Sequence, residues 1–438
     1  MGEGSFGCVL KPSIPCANKK NVSYKNKVSK IMLSEEAMKE LQEYAIISKI
    51  DKYQNYYLGV PLKCKPVNTN QTIKSVSKCK KINIEKDTLN EYSLLVQKNG
   101  GNDLKKFSEK IEYLSKTPEN TRMIKHLWVE IHRLFRGIMN FQKYGIMHHD
   151  IKPHNIVYNL TKNRINFIDF GHMRNIKEEK RKALMSDNWI YDIPFWNYPL
   201  EIQFINLEQY SQLAKKNING REKMFKEMLE EIKQKKDTKF VTAFSIFIKY
   251  IISDNETKQQ KKKIMDKYLN AFHKMIMDDI HKGSYMSFVD KSMKTIDVYG
   301  LGMSLQFLLN RCKKFMDKTT VDKMEDCYFH MTTPNLLQRY TINEAIDQYE
   351  LILLESNYLD YVGIHFENHE PIEPKKGIQK IMKSINHTDI DISKEQLEEA
   401  ENSQCPPGFK MNNRTKKCVQ VKNKTRKMFN KVVKKFLF

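Results

Sequence analysis

The chain has 438 residues, of which 75 are Lys or Arg and 52 are Asp or Glu, so its formal net charge is +23. Hydrophobic residues make up 40% of the chain, which allows a sizeable core and excludes wholesale disorder. The longest apolar stretch, residues 240–252, is too short for a membrane-spanning helix, which needs about 20 residues. No signal-peptide pattern occurs at the start, so an intracellular protein is expected. The length predicts roughly two or three domains.

The first part of the chain is predicted to contain mainly strands. A strand is expected over Lys27–Leu33. The helix that follows is expected to use Ser34 as its N-cap and has acidic residues in its first turn. Further strands are expected over 58–67 and 88–97.

The later part of the chain is predicted to be mainly helical. A long helix spans Leu127–Tyr144, with apolar residues recurring on one face, and a short strand follows at 165–168. Helices return at Asp297–Asn310 and Ile342–Glu355. Because strands precede helices instead of alternating with them, the pattern indicates an α+β fold of two lobes.

The charge excess and the cysteines leave open questions. The positive charge is explained either by an anionic partner or by a Lys-, Asn- and Ile-rich composition typical of an A/T-rich genome. Eight cysteines in a chain of this length do not make a disulfide framework, and no pair has the C-x-x-C spacing of a zinc site. Free thiols in a reducing compartment are therefore expected, with one exception near the C-terminus.

The first motif with chemical meaning is a glycine loop. Gly2, Gly4 and Gly7 occur in the pattern G-x-G-x-x-G-x-V, which Val9 completes. Glycines let backbone amides approach phosphate oxygens closely. The pattern alone is weak evidence for phosphate binding, because the same glycines could equally belong to a flexible N-terminus.

The second motif matches H-x-D-x-K-x-x-N and runs from His148 to Asn155, with Asp150 and Lys152 inside it. A carboxylate, an ammonium and an amide at this spacing can accept a hydroxyl proton, neutralise a phosphoryl group and hold a metal ion. Asp169 begins a D-F-G sequence 14 residues later, and its carboxylate suits Mg²⁺. In this order, the motifs predict phosphoryl transfer.

With these motifs the sequence resembles the eukaryotic-type Ser/Thr protein kinase family over residues 1–355. The resemblance implies a bilobal fold, with a mostly β N-lobe over 1–98 and a mostly α C-lobe over 99–355. It implies ATP and Mg²⁺ as cofactors and protein hydroxyls as substrates. Within the catalytic loop it makes Asp150 the base and Lys152 the contact to the γ-phosphate.

The resemblance also assigns the remaining site residues. Asn155 and Asp169 would bind Mg²⁺. The residues assigned to nucleotide binding lie in the glycine loop, the next strand and its helix, and are Gly2, Gly4, Gly7, Val9, Lys30 and Glu43. Lys30 would contact the α- and β-phosphates, held by Glu43 as its ion-pair partner, with Glu40 as the alternative partner.

Further matches concern the C-lobe framework. The sequence from Trp196 to Glu201 occupies the place of the family's A-P-E motif, and Leu94–Leu104 resembles the hinge that bonds adenine. Asp297 looks like the residue that anchors the catalytic loop. Arg339 would form a structural ion pair with Glu201.

Three departures from the family pattern carry predictions. The family's first strand normally precedes a glycine loop that here follows Met1 directly, so weaker support for the loop is expected. His149 replaces the arginine that usually pairs with a phosphorylated activation loop, so activity without that phosphorylation is expected. Residues 203–290 form a Lys/Glu-rich helical insert, interpreted either as a solvated addition or as a dock for a substrate or partner.

The C-terminal region has its own composition. Residues 356–404 are predicted to be an acidic polar linker, and 405–438 a basic tail without acidic residues. The tail contains a C-P-P-G…C-V element that resembles proteins of large nucleocytoplasmic DNA viruses, which implies a giant-virus kinase in the host cytoplasm or the virion. Cys405 and Cys418 are interpreted either as a disulfide or as free thiols. The tail is either solvated or binds nucleic acid or a membrane surface.

Two functions fit these sequence features. The first is an active Ser/Thr kinase, and the complete set of polar catalytic residues favours it. The second is a pseudokinase scaffold or a basic virion packaging protein. A small-molecule or lipid kinase is a weaker third interpretation, because the peptide-platform motifs around Glu201 and Asp297 argue against it.

Overall fold

The fold is described from a computed structural model. It describes residues 2–359, except 5–6, 18, 20–21, 80–83, 85, 186–197, 279 and 281–282, and also 409–411 and 418–420. Most of the linker and tail predicted at 356–404 and 405–438, including the Cys405–Cys418 pairing, therefore lies outside the described residues.

A five-stranded antiparallel sheet forms the N-terminal lobe, in the spatial order β1-β2-β3-β5-β4. Its strands are β1 (Gly2–Gly4), β2 (Gly7–Leu10), β3 (Lys27–Leu33), β4 (Leu62–Cys64) and β5 (Tyr92–Lys98). The glycine motif thus forms the β1–β2 hairpin at one edge of the sheet.

Strand register gives this sheet two different faces. Val9, Lys30 and Leu95 lie side by side on neighbouring strands, so their side chains share one face. Cys8 and Ile31 lie opposite each other on the other face. Lys30 and Val9 therefore point to the same side of the sheet, while Cys8 points away from them.

The outer face of the sheet is closed by two disulfides, Cys8–Cys79 and Cys16–Cys64. Their Cα atoms are 6.1 and 5.6 Å apart, although 71 and 48 residues separate the partners along the chain. The expectation of free thiols is therefore wrong for these four residues, because only the folded sheet brings them together. In the C-terminal lobe, Cys312 and Cys327 are buried free thiols, as expected.

Helices make up most of the C-terminal lobe. In chain order the helices are α1 (Ser34–Ile50), α2 (Asn70–Val76), α3 (Leu104–Glu112), α4 (Pro118–Lys143), α5 (Ile176–Leu184), α6 (Leu207–Lys215), α7 (Ile218–Lys233), α8 (Lys239–Ile251), α9 (Lys258–Met277), α10 (Tyr285–Cys312), α11 (Lys318–Thr332) and α12 (Ile342–Glu355). The first two belong to the N-terminal lobe.

Short strands support the C-terminal lobe. They are β6 (Asn102–Asp103), β7 (Ile146–Met147), β8 (Ile156–Asn159), β9 (Arg164–Phe167) and β10 (Arg174–Asn175). β6, β8 and β9 form one antiparallel sheet, and β7 pairs with β10. A separate hairpin joins β11 (Phe409–Met411) to β12 (Cys418–Gln420).

The main hydrophobic core lies between α4, α10 and α12. α4 contributes a run of buried residues that includes Leu127, Ile131 and Phe135, as its helical periodicity predicts. A second core fills the stretch predicted as an insert, where α6 to α9 pack together. Tyr299 and Met303 of α10 belong to this second core.

The predicted α+β bilobal fold is confirmed, but several element bounds differ. Ser34 is not the N-cap of α1, since its hydroxyl donates instead to the carbonyl oxygen of Glu91 at 2.6 Å. α4 begins at Pro118, where Thr117 accepts a bond from the amide of Asn120. α10 begins at Tyr285, well before the predicted start. The first turn of α4 contains no apolar residue, so apolar periodicity does not reveal where this helix begins.

Among the helices of the described residues, none is both long and apolar enough to cross a bilayer.

Candidate active site

The predicted catalytic loop lies between β7 and β8. Lys152 Nζ lies 2.9 and 2.8 Å from the two carboxylate oxygens of Asp150. The amide nitrogen of Asn155 donates to the backbone oxygen of Asp150 at 2.9 Å and to its Oδ2 at 2.6 Å. Asp150 is only 6% exposed. The carboxylate is therefore held by two side chains of its own loop.

Asp297 of α10 fixes the backbone of this loop. Its two carboxylate oxygens accept from the amides of His148 and His149, at 2.7 and 2.8 Å. His149 has a φ of +67°, a conformation that costs free energy for a residue with a Cβ. The paired bonds from Asp297 hold the loop in this conformation, so the structure brings Asp297 to the place the sequence predicts.

Asp169 follows β9 and faces the N-terminal lobe. Its Oδ1 lies 3.8 Å from Lys30 Nζ, and its φ of +62° lies in the left-handed region. Burial opposes the charge of this carboxyl, but Lys30, His148 and Lys152 outweigh it and hold the pKa below its usual value. Asp169 is therefore ionised at neutral pH.

Lys30 pairs with Glu40, with 2.6 Å between Nζ and Oε2. The prediction that Glu43 is the partner is therefore wrong, and the alternative partner is the observed one. Ala37, Glu40 and Tyr44 share the buried face of α1, while Glu43 lies at the margin of that face. Burial lowers the pKa of Lys30, but Asp169 and Glu40 reverse this and keep it above its usual value.

Glu43 still lies close to the site. Among the described residues, its Oε2 is buried without a hydrogen-bond partner. Burial, followed by the charges of Glu40 and Asp169, raises the pKa of Glu43 to about 7. A second carboxyl next to the Lys30 pair is thus only partly ionised at neutral pH.

A column of rings that sequence reasoning missed connects the two lobes. The ring of Phe170 lies 5.7 Å from that of Tyr44 in α1 and 4.9 Å from that of His148, measured between centroids. All three residues are buried. Their spacing suits favourable aromatic packing. The position of Tyr44 could have been found from the sequence, because residues four apart in a helix lie on the same face and Tyr44 follows Glu40 by four residues.

The predicted pair of Glu201 and Arg339 is present and completely buried. Arg339 also donates from Nε to the carbonyl oxygen of Thr333 at 2.8 Å. Burial raises the pKa of Glu201 against the lowering effect of Arg339. The pair ties the segment after 197 to the turn that precedes α12.

The glycine hairpin lies at the edge of the N-terminal sheet. A Cβ atom at Gly7 would overlap the carbonyl oxygen of Ile31, so the close approach of β2 to β3 requires glycine. Gly2 and Gly4 lie in β1, and Val9 lies opposite Lys30. The hairpin tip, residues 5–6, lies outside the described residues.

The donors at the site fit a magnesium ion that also uses phosphate oxygens. Asn155 commits its amide nitrogen to Asp150, so the amide oxygen is its contribution to a metal, and Asp169 contributes an ionised carboxylate. Hard oxygen donors of this kind suit Mg²⁺. In the part of the chain that the structure describes, no group of three or more His, Cys, Asp or Glu residues could hold a metal ion.

The two-lobed fold and this site define a protein-kinase-like protein. More particularly, a family model described as the ABC1 atypical kinase-like domain matches residues 107–191. The matched segment contains the catalytic loop and Asp169, but covers less than half of the chain. No curated protein matches the chain. Fold, site and match together support a divergent protein-kinase-like family.

Proposed function

We propose that the protein is an ATP- and Mg²⁺-dependent Ser/Thr protein kinase. One observation carries the proposal: Lys30 contacts Glu40 at 2.6 Å and Asp169 at 3.8 Å. This chain of charges connects the N-terminal sheet to Asp169. Phosphoryl transfer by protein kinases needs the ion pair between the strand lysine and the helix glutamate in place, and it needs the aspartate in position to bind Mg²⁺.

The residues of the catalytic loop supply the remaining steps. Asp150 would accept the proton of the substrate hydroxyl, and Lys152 beside it would neutralise charge on the transferred phosphoryl group. Asn155 and Asp169 would hold Mg²⁺, which would further neutralise phosphate charge. Lys30 would hold the phosphates of ATP under the glycine hairpin.

A scaffold without catalysis is the second candidate, since the matching family model is described as atypical. A scaffold has no need of the polar catalytic groups, yet all of those predicted are in the chain. The scaffold interpretation therefore has less support than the enzyme interpretation.

The deciding experiment is a phosphotransfer assay. The purified chain is incubated with labelled ATP, Mg²⁺, and casein or histone, beside an Asp169→Ala variant. Label transfer by the wild type and its loss in the variant are expected. Equal signals, or no signal in either with both proteins folded, would contradict the enzyme proposal and favour the scaffold.

Activity without activation-loop phosphorylation belongs to this proposal. His149 is 1% exposed, and burial together with Arg174 lowers its pKa to about 3, so a neutral ring occupies the place of a phosphate-binding arginine. Ser186 and Tyr191 lie outside the described residues. Replacing both together is expected to preserve activity, and loss of activity would contradict this part of the proposal.

The remaining predictions extend the proposal. The kinase-like unit is 1–355, with the helical insert at 203–290. The basic tail holds 11 of the 75 basic residues and no acid, which supports an anionic partner such as nucleic acid or a membrane surface. The proposal of a viral origin, with location in host cytoplasm or virion, rests on the Cys405–Cys418 element together with the A/T-like composition and the divergent kinase motifs.

A further inference from the structure

The residue next to the catalytic aspartate makes a contact that the kinase motifs do not include. Tyr198 Oη lies 3.0 Å from His149 Nδ1, and the two ring centroids are 4.9 Å apart. Tyr198 is 4% exposed and His149 1%. The contact is thus part of the protein interior.

Both partners of this bond are neutral. Burial, with Arg174 and His172 nearby, lowers the pKa of His149 to about 3, so its ring is neutral at physiological pH. Burial raises the pKa of the Tyr198 phenol. The tautomer of His149 decides which of the two is the donor, and in either case two neutral groups satisfy each other in a buried place.

Tyr198 and His149 are each held in place by further contacts. The ring of Tyr198 packs in a hydrophobic cluster with Met147 of β7, and its backbone lies three residues before Glu201, which Arg339 holds. The backbone amide of His149 donates to Asp297 at 2.8 Å. The bond between the two rings closes a connection from the Glu201 segment to the residue that precedes Asp150.

We infer that Tyr198 is a positioning residue for the catalytic loop, acting through the ring of His149 on the carboxylate of Asp150. This inference rests on the proposed kinase function. A base must be held within a fraction of an ångström of its working position, and its neighbours usually supply that restraint. The hydroxyl of Tyr198 is the group that supplies it here.

The test compares Tyr198→Phe with Tyr210→Phe in the full chain. Tyr210 is the matched control, because its hydroxyl is also buried and donates to Ile280 O at 2.9 Å, within the second core. We expect Tyr198→Phe to lower kcat about tenfold with KM for ATP within about twofold, while Tyr210→Phe leaves both unchanged. Equal kcat in the two variants would overturn the inference.

A double-mutant cycle separates positioning from general stability. His149→Asn removes the ring, and asparagine tolerates the positive φ at this position. Once the ring is gone, the added Tyr198→Phe change is expected to have no further effect on kcat. Additive losses in kcat, or losses that follow the melting temperature in every variant, would contradict a positioning role.

Hydrogen exchange provides a readout that does not depend on catalysis. Amides of residues 146–152 are expected to exchange faster in Tyr198→Phe than in Tyr210→Phe. Unchanged exchange there would overturn the inference. If neither the wild type nor Asp169→Ala transfers phosphate, the kinase proposal fails, and this measurement still decides whether Tyr198 holds the loop.

Discussion

Lys30 of β3 and Glu40 of α1 form an ion pair of 2.6 Å whose side chains are 12% and 10% exposed. The pair fixes the helix against the sheet and leaves Lys30 within 3.8 Å of Asp169. Glu43, one turn further along α1, takes no part in it. This difference between two glutamates of one helix can be tested directly.

Substitutions at Glu40 and at Glu43 should differ in their effect on phosphotransfer activity. Lys30→Met and Glu40→Gln are expected to lower kcat/KM about 100-fold, because the phosphates lose their positioning cation or its support. Glu43→Gln, the matched control on the same helix, is expected to stay within about twofold of wild type. Steady-state phosphotransfer assays measure both, and the reverse order of effects would restore Glu43 as the partner.

Asp150→Asn should abolish proton acceptance without loss of nucleotide binding. General-base catalysis typically contributes 10²–10⁴-fold, so kcat is expected to fall by about that factor. Lys30 and Asp169 remain in place, so the affinity for ATP measured by calorimetry should not change. A parallel loss of affinity would show that Asp150 acts in binding.

The raised pKa of Glu43 should make the free energy of unfolding depend on pH around neutrality. Burial and the charges of Glu40 and Asp169 raise the folded-state pKa to about 7, above the usual value of 4.5. A carboxyl with a raised pKa stabilises the fold below its unfolded pKa, and this contribution is lost as the pH rises through 7. Glu43→Gln should therefore stabilise the protein at pH 8 but not at pH 4.5.

Urea denaturation of both proteins at the two pH values measures this effect, in the absence of Mg²⁺ and nucleotide. An equal change in unfolding free energy at pH 8 and pH 4.5 would show that Glu43 titrates normally.

Breaking the Glu201–Arg339 pair should be costly. Both side chains are completely buried, so Arg339→Met would leave an unpaired carboxylate inside the protein. We expect a loss of about 3–5 kcal/mol in unfolding free energy, and a smaller loss when Glu201→Gln is added. Lys318→Ala, which removes an exposed pair with Asp322, is the control and should give no measurable change.

The two disulfides should stabilise the N-terminal lobe. The two bridges join cysteines that are 71 and 48 positions apart in the sequence. Each bridge is expected to add about 4 kcal/mol to the free energy of unfolding, because it restricts the unfolded chain. A phosphine reductant should therefore lower the melting temperature. The same treatment should leave a variant with all four bridge cysteines replaced by alanine unchanged, and an effect there would point to another cause.

Much of the framework could be predicted because its signals are local. Asp150, Lys152 and Asn155 lie within six residues of sequence, so the conformation of one short loop determines their contacts. The long helix α4 also shows clear apolar periodicity. The start of α4 was less predictable, since its cap Thr117 precedes a first turn without apolar residues.

Contacts between distant segments could not be predicted in the same way. The choice of Glu40 over Glu43 depends on the rotation of α1 about its axis, which packing against the sheet decides. The pairing of Cys8 with Cys79 requires the whole N-terminal sheet. The bond between Tyr198 and His149 joins residues 49 positions apart, and no spacing rule in either motif specifies it.

Helix α10 serves more than one part of the C-terminal lobe. Leu301 and Leu305 pack in the main core, whereas Tyr299 and Met303 face the helices of the second core. The same helix carries Asp297, which holds the catalytic loop. Excising α6 to α9 would uncover two apolar residues next to that anchor. The lobe should therefore unfold cooperatively, and the extra helices cannot be exchanged as an independent module.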